Sequence, residues 1–206
     1  MNTEHRDSGS ALPVLPDVST VLAAHQCRDG FTVAHEKRVA DIAVRIGRHL
    51  GIRGLELEIL RMGAALHDIG KIALPAEILG KPARLSELEY ALVQEHSLTG
   101  FRILQNLPTT LPIAEIAYQH HERMDGSGYP RQLKGEEILL EARIIAVADT
   151  FDAMTANRAY RPGLPEDFVL GEINAMAGRQ LDRDVVAALL HTRLAQESLR
   201  PESRVA

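Results

Sequence analysis

An all-α fold is what this sequence predicts, on three observations. Apolar residues recur three and four positions apart along nearly the whole chain. No alternating apolar and polar run of strand length interrupts that period. Capping residues, prolines and glycines fall where the periodic segments begin and end. Residues 1 to about 17 carry Ser, Pro and Asp without periodicity and are expected to be a polar tail or linker. Residues 18–196 are expected to form one domain, followed by a short tail over 197–206.

In chain order, His35 opens a helix whose inner face is Val39, Ile42, Ala43, Ile46 and Leu50. Leu57, Leu60, Ala64 and His67 line a second. Ser86 and Glu89 have the spacing of a capping box, which opens a helix running inward-facing through Leu88, Leu92, His96 and Ile103. Ile113, Ile116, Ala117, His120 and His121 share another stripe, and Ala142, Ile145, Asp149, Asp152 and Ala156 a further one. Pro165 and Gly178 bracket the next helix. Asp182 caps the last, which buries Val185, Val186, Leu189 and Leu190.

Composition narrows the function. With 206 residues, of which 45% are hydrophobic, the chain can bury a sizeable core. Aromatic residues make up only 4%, so that core is aliphatic. A net charge of −5 argues against coating a nucleic acid polymer or an anionic membrane by bulk attraction. An anionic substrate would have to be held by local cations or metal ions. The single cysteine, Cys27, leaves no intramolecular disulfide and fits a reducing compartment. The polar N-terminus lacks a signal-peptide hydrophobic region, and the longest apolar run, Ile144 to Ala148, is far too short to span a bilayer. A cytoplasmic location is expected.

The histidines break this otherwise ordinary pattern. One histidine on an apolar face is usually a hydrogen-bonded core residue. Here His120 and His121 lie together on a stripe expected to face inward, just before the glycine-broken turn that ends HHERMDGSGYP. Other helices repeat the anomaly with His35, with His67 and Asp68, with His96 and with Asp149. Each unpaired buried polar group costs about 1–3 kcal/mol, so such groups need shared partners. Divalent metal is one, and imidazoles with carboxylates are its ordinary ligands. Seven side chains are too many for one ion. With Asp68 bridging, His35, His67, Asp68 and Asp149 would serve one ion, and Asp68, His96, His120 and His121 a second. That is a hydrolytic two-metal arrangement, with ions roughly 3.5–4 Å apart and a shared water acidified to a hydroxide nucleophile.

The segments carrying these ligands resemble a known family. They are LHDIGK from Leu66, RVA from Arg38, HHERMDGSGYP from His120, and ARIIAVADTFDAMTANRAYR from Ala142. Together, over roughly residues 20 to 195, they resemble the HD-GYP domain, a branch of the HD phosphohydrolase superfamily. The resemblance implies an HD-type helical bundle with a metal centre of two iron or manganese ions in its core. It implies hydrolysis of cyclic di-GMP to pGpG, and in many members on to GMP. Asp68 and Lys71 would be catalytic, Lys71 stabilising or protonating the leaving oxygen. Lys71, Arg158 and Arg161 would contact phosphate. Tyr129 would stack on guanine or else fix its loop by packing, and that loop would meet GGDEF-domain partners. A homodimer is compatible with the sequence.

Two departures from the family pattern stand out. Phe31 occupies the position where members with a third metal carry a glutamate, so two ions are expected. Ile138-Leu139 replaces the usual Ile-Pro, which should alter loop rigidity more than chemistry. Two other readings fit less of the sequence. One is a non-catalytic module that senses cyclic di-GMP or docks on GGDEF proteins. The other is an HD hydrolase of a different nucleotide, such as a dNTP or ppGpp. His5, His25, His49 and His191 fall outside the constellation and read as surface or packing residues.

Overall fold

The computed structural model describes residues 30–107, 111–157 and 162–198, with side chains from 34 to 193, less the two gaps. The expected tail over 1–17 and most of 197–206 lie outside the described residues, as do His5, His25, Arg158, Arg161 and the side chain of Phe31. Among the described residues the regular structure is helical, as expected, with two isolated bridges and no strand. In order these are α1 (Gly30–His49), α2 (Gly54–Leu66), a 3₁₀ turn (Ile69–Ala73), α3 (Ala76–Leu79), α4 (Glu87–Leu104), α5 (Ile113–Gln119), a second 3₁₀ turn (Gly135–Glu137), α6 (Leu140–Thr155), α7 (Glu166–Met176) and α8 (Arg183–Ser198).

The caps behave as their chemistry dictates. The Ser86 hydroxyl accepts from the Glu89 N–H while the Glu89 carboxylate accepts from the Ser86 N–H, closing the capping box that opens α4. Asp182 accepts from the N–H groups of Asp184 and Val185, satisfying two donors at the start of α8. Pro165 immediately precedes α7, and Gly178 follows it at φ 75°. Leu139 caps α6 without proline, and the gain is concrete. Its N–H, which proline would lack, donates to Gln119 Oε1 at 2.8 Å, tying α6 to α5.

Two apolar clusters hold the bundle. The larger joins α1, α2, α6, α7 and α8 through residues such as Ile46, Leu60, Ile145, Phe151, Ile173 and Val185. The smaller joins the end of α2 to the 3₁₀ turn, α4 and α5 through Leu66, Ile69, Leu104, Ile113 and Ala117. One expectation fails here. Leu88 and Leu92 do not share the inward face of His96: they are 84% and 41% exposed. The buried residues of α4 begin at His96 and continue with Ser97, Gly100 and Leu104, where the helix meets the 3₁₀ turn. The contact there is very close. A Cβ on Gly70 would lie 1.9 Å from the His96 carbonyl oxygen, so only glycine lets the turn lie against α4. No helix among the described residues is long and apolar enough to cross a membrane.

Candidate metal centre

Three of the imidazoles are aimed by the same local device. His67 and His120 sit at helix ends and His96 midway along α4, and each sets Nδ1 against the carbonyl three residues back: His67 on Ala64 at 2.7 Å, His96 on Val93 at 2.6 Å, His120 on Ala117 at 2.7 Å. A carbonyl only accepts, so Nδ1 carries the proton and Nε2 is left as a bare lone pair. All three Nε2 atoms turn toward Asp68. Its Oδ1 lies 3.3 Å from His96 Nε2 and 3.8 Å from His120 Nε2. Its Oδ2 lies 3.4 Å from His67 Nε2 and 3.8 Å from His35 Nε2. One carboxylate therefore faces a different imidazole pair with each oxygen.

His35 is positioned from the other side. Its Nδ1 is 2.7 Å from Asp152 Oδ2, and the Arg38 guanidinium grips the same carboxylate through Nε at 2.6 Å and Nη2 at 3.0 Å. The ring thereby presents Nε2 to Asp149 Oδ1 at 3.2 Å. His121 completes the other side, its ring 5.0 Å from that of His96 and 4.0 Å from that of His120. Donor atoms of Asp68, His96, His120 and His121 all lie within 4.8 Å of one another, and so do those of His35, His67 and Asp68. All seven expected ligands thus converge, in the two groups that the sequence suggested, with Asp149 reaching its group through His35.

These groups fit cations better than they fit each other. His96 Nε2 and His120 Nε2 face one another at 3.3 Å with no proton to share, because both protons are spent on carbonyls. Among the described residues, buried His67 Nε2 and Asp68 Oδ1 make no hydrogen bond, each an orphan that costs about 1–3 kcal/mol if left so. Burial and the neighbouring imidazoles hold His120 and His121 well below the usual histidine range, so both are neutral, the form that ligates. Burial would raise the Asp68 pKa, but Lys71 and the imidazoles of His67, His96 and His120 drive it well down, keeping an anion there. His35 differs. Burial lowers its pKa, yet hydrogen bonds to Asp149 and Asp152 outweigh that and lift it to about 9.

The surroundings shape access. Lys71 hydrogen-bonds to Asp68 from the rim of the site. The Tyr129 ring lies 4.7 Å from the His121 ring at 30°, so the packing part of its expected role is visible. Its loop is pinned by Glu122, which is buried and accepts from the N–H groups of Arg131 and Leu133. A Cβ on Gly128 would stand 2.5 Å from the backbone of His121, Glu122 and Arg123, so this glycine permits the loop to fold back on the histidines. Lys71, Tyr90, His96, His121, Arg123, Tyr129 and Gln180 are among the walls of an adjoining cavity of about 410 Å³. Sequence reading missed Asp152 and Arg38 as the support of His35, although Asp152 stands one turn after Asp149 on the same stripe. It also missed Tyr90, Arg123 and Gln180, and for Gln180 no local pattern gave notice. His49 and His191 are exposed as expected, but their rings stack at 4.5 Å.

A family model described as an HD domain matches residues 18–185. The chain belongs to the HD domain family. Two curated relatives show its neighbourhood. The cyclic di-GMP phosphodiesterase response regulator RpfG of Xanthomonas campestris is 41% identical over 184 residues, covering 88% of this chain and 49% of the relative. The 3′3′-cGAMP-specific phosphodiesterase 2 of Vibrio cholerae is 38% identical over 169 residues, covering 81% of this chain and 32% of the relative. This HD domain therefore spans half or less of the curated relatives it matches. Among solved structures, an HDGYP protein from Bdellovibrio bacteriovorus superposes with a TM-score of 0.66 at 20% identity, covering 79% of this chain and 52% of that one, which shows the shared fold.

Proposed function

We propose that this HD domain is a metal-dependent phosphodiesterase that opens cyclic di-GMP to pGpG and carries part of it on to GMP. The observation that supports it most directly is the Asp68 carboxylate set between two imidazole groups, beside a cavity large enough for a nucleotide. His35, His67, Asp68 and Asp149 would hold one divalent ion, and Asp68, His96, His120 and His121 another, iron or manganese by resemblance to the family. Bound there, such ions supply Lewis acidity toward water and toward the scissile phosphodiester.

The chain's own groups do the rest. The carbonyl-bound Nδ1 atoms hold three imidazoles in one tautomer, so no ring must turn over when a ligand arrives. Lys71 brings a cation to the rim of a net-anionic protein, where it neutralises a phosphoryl oxygen and delivers a proton to the departing ribose oxygen. Arg158 and Arg161 add phosphate contacts on the family pattern. The Tyr129 loop walls the site against water, and docking of GGDEF-domain proteins on it is proposed on the resemblance alone.

The test is to purify the protein anaerobically, measure metal stoichiometry, and follow cyclic di-GMP and its products over time beside Asp68→Ala. Two ions per chain, pGpG before GMP and an inert variant are expected. Tight binding without turnover by the metal-loaded protein would replace this reading with that of a sensing module, and cleavage of a dNTP or ppGpp instead would move it to another substrate class.

A further inference from the structure

The relatives named above carry different dinucleotides in their names, one with two guanines and one with a guanine and an adenine. Which base this chain prefers has to be decided by groups that meet a base edge. The cavity beside His96 and His121 holds such groups, drawn from three distant stretches of the chain.

Tyr90, on α4, is half exposed and places an aromatic side chain at the cavity wall. Arg123 follows the paired histidines. Its Nη1 donates to the carbonyls of His120 at 3.3 Å and Glu122 at 2.9 Å, which anchors the guanidinium. Among the described residues, its Nε and Nη2 make no hydrogen bond. Gln180, before α8, is brought in by its backbone: its carbonyl accepts from the Met124 N–H at 3.1 Å. Gln180 lines the cavity, and its carboxamide makes no hydrogen bond among the described residues. A stacking surface, a fixed two-donor edge and an adaptable amide are together the parts of a base-reading site.

We propose that this cavity is a nucleobase subsite in which Tyr90 stacks, Arg123 reads guanine by its O6 and N7 acceptors, and Gln180 meets the remaining polar edge. The inference rests on the reading of the neighbouring centre as a cyclic dinucleotide phosphodiesterase. Arg123 supplies the selectivity. Guanine offers two acceptors to a guanidinium fork, whereas adenine offers one acceptor and an amino donor that opposes it. Gln180 can present either its oxygen or its nitrogen, so it adds affinity while tolerating both bases.

The experiment compares turnover of cyclic di-GMP, 3′3′-cGAMP and cyclic di-AMP by the wild type, Arg123→Lys, Gln180→Ala and Tyr90→Ala. It also measures binding of cyclic di-GMP and cyclic di-AMP to Asp68→Ala protein by calorimetry. Metal content and circular dichroism are recorded for each. The wild type should prefer cyclic di-GMP over cyclic di-AMP in kcat/KM. Arg123→Lys should cut that preference about tenfold, from the discrimination one bidentate contact provides. Gln180→Ala and Tyr90→Ala should raise KM for every substrate with the ratio kept. Cleavage with a preference that Arg123→Lys leaves unchanged overturns the subsite and spares the phosphodiesterase. Loss of metal in Arg123→Lys with the preference intact assigns Arg123 to holding the histidines and also overturns it. Absence of both cleavage and binding for all dinucleotides overturns both readings.

Discussion

Replacing Gly70 by alanine should unseat the site without touching a ligand. The new Cβ would lie 1.9 Å from the His96 carbonyl oxygen, 2.5 Å from the Gly100 nitrogen and 2.8 Å from the His96 carbonyl carbon. Favourable contact between such atoms lies near 3.5 Å, so the 3₁₀ turn must withdraw by more than about 1 Å. Every atom it meets there is main chain, which cannot rotate aside. Overpacking of this kind costs about 1–3 kcal/mol, which for a chain of this length is a fall in Tm of roughly 2–12 °C. The same displacement carries Asp68, two residues earlier, away from His96 Nε2, now 3.3 Å from Oδ1. A misplacement near 1 Å at a reacting centre can cost about a hundredfold in rate. The assay is thermal unfolding, metal content and turnover, side by side with Gly171→Ala. In α7 an added Cβ at Gly171 meets nothing within 4 Å, so that variant should gain about 0.5–1 kcal/mol. A Gly70→Ala protein with wild-type Tm and full metal content would refute the packing argument.

Four further outcomes follow from the geometry. In the metal-free protein His35 holds its proton up to about 9, above its ordinary 6.5, so that stabilisation is complete below 6.5 and fades as pH rises toward 9. Metal binding must displace this proton, so affinity should fall as pH drops below 9, with proton release at pH 7.5 visible by calorimetry in buffers of different ionisation enthalpy; zero release would contradict it. Asp152→Asn should weaken metal affinity about 10–100-fold by loosening the hold on His35, measured by chelator competition. Lys81 and then Ser86 hold the Glu89 carboxylate at about 2, below its ordinary 4.5. The stabilisation is therefore complete above 4.5 and lost as pH falls toward 2, and Lys81→Met should flatten that part of the acid unfolding curve. Ser86→Ala should cost about 1 kcal/mol in chemical denaturation.

Much of this was legible in the sequence, for reasons that differ by residue. Ser86 with Glu89 and Asp182 announce their helices because capping is local chemistry, complete within four residues. The seven candidate ligands were legible because buried imidazoles and carboxylates are anomalous on apolar stripes, and an anomaly repeated on several helices calls for a common partner. Leu88 and Leu92 misled because periodicity tells which residues share a face, not how far along the helix a neighbour covers it. α4 is covered only from His96 onward. Gln180 was invisible for the opposite reason. It reaches the cavity through the backbone link to Met124, and such long-range pairing leaves no mark in the residues beside it.

The carbonyl bonds at Ala64, Val93 and Ala117 have one more consequence. Each ring takes its bearing from its own helix, three residues back, and a helix turns about 100° per residue. Deleting or inserting a single amino acid in the last turn before His67, His96 or His120 would swing that imidazole away from Asp68, even with every named ligand still present. Such indels should therefore be far more damaging in these three turns than in the 81–85 stretch before α4, and a scan of single-codon deletions would trace the outline of the centre.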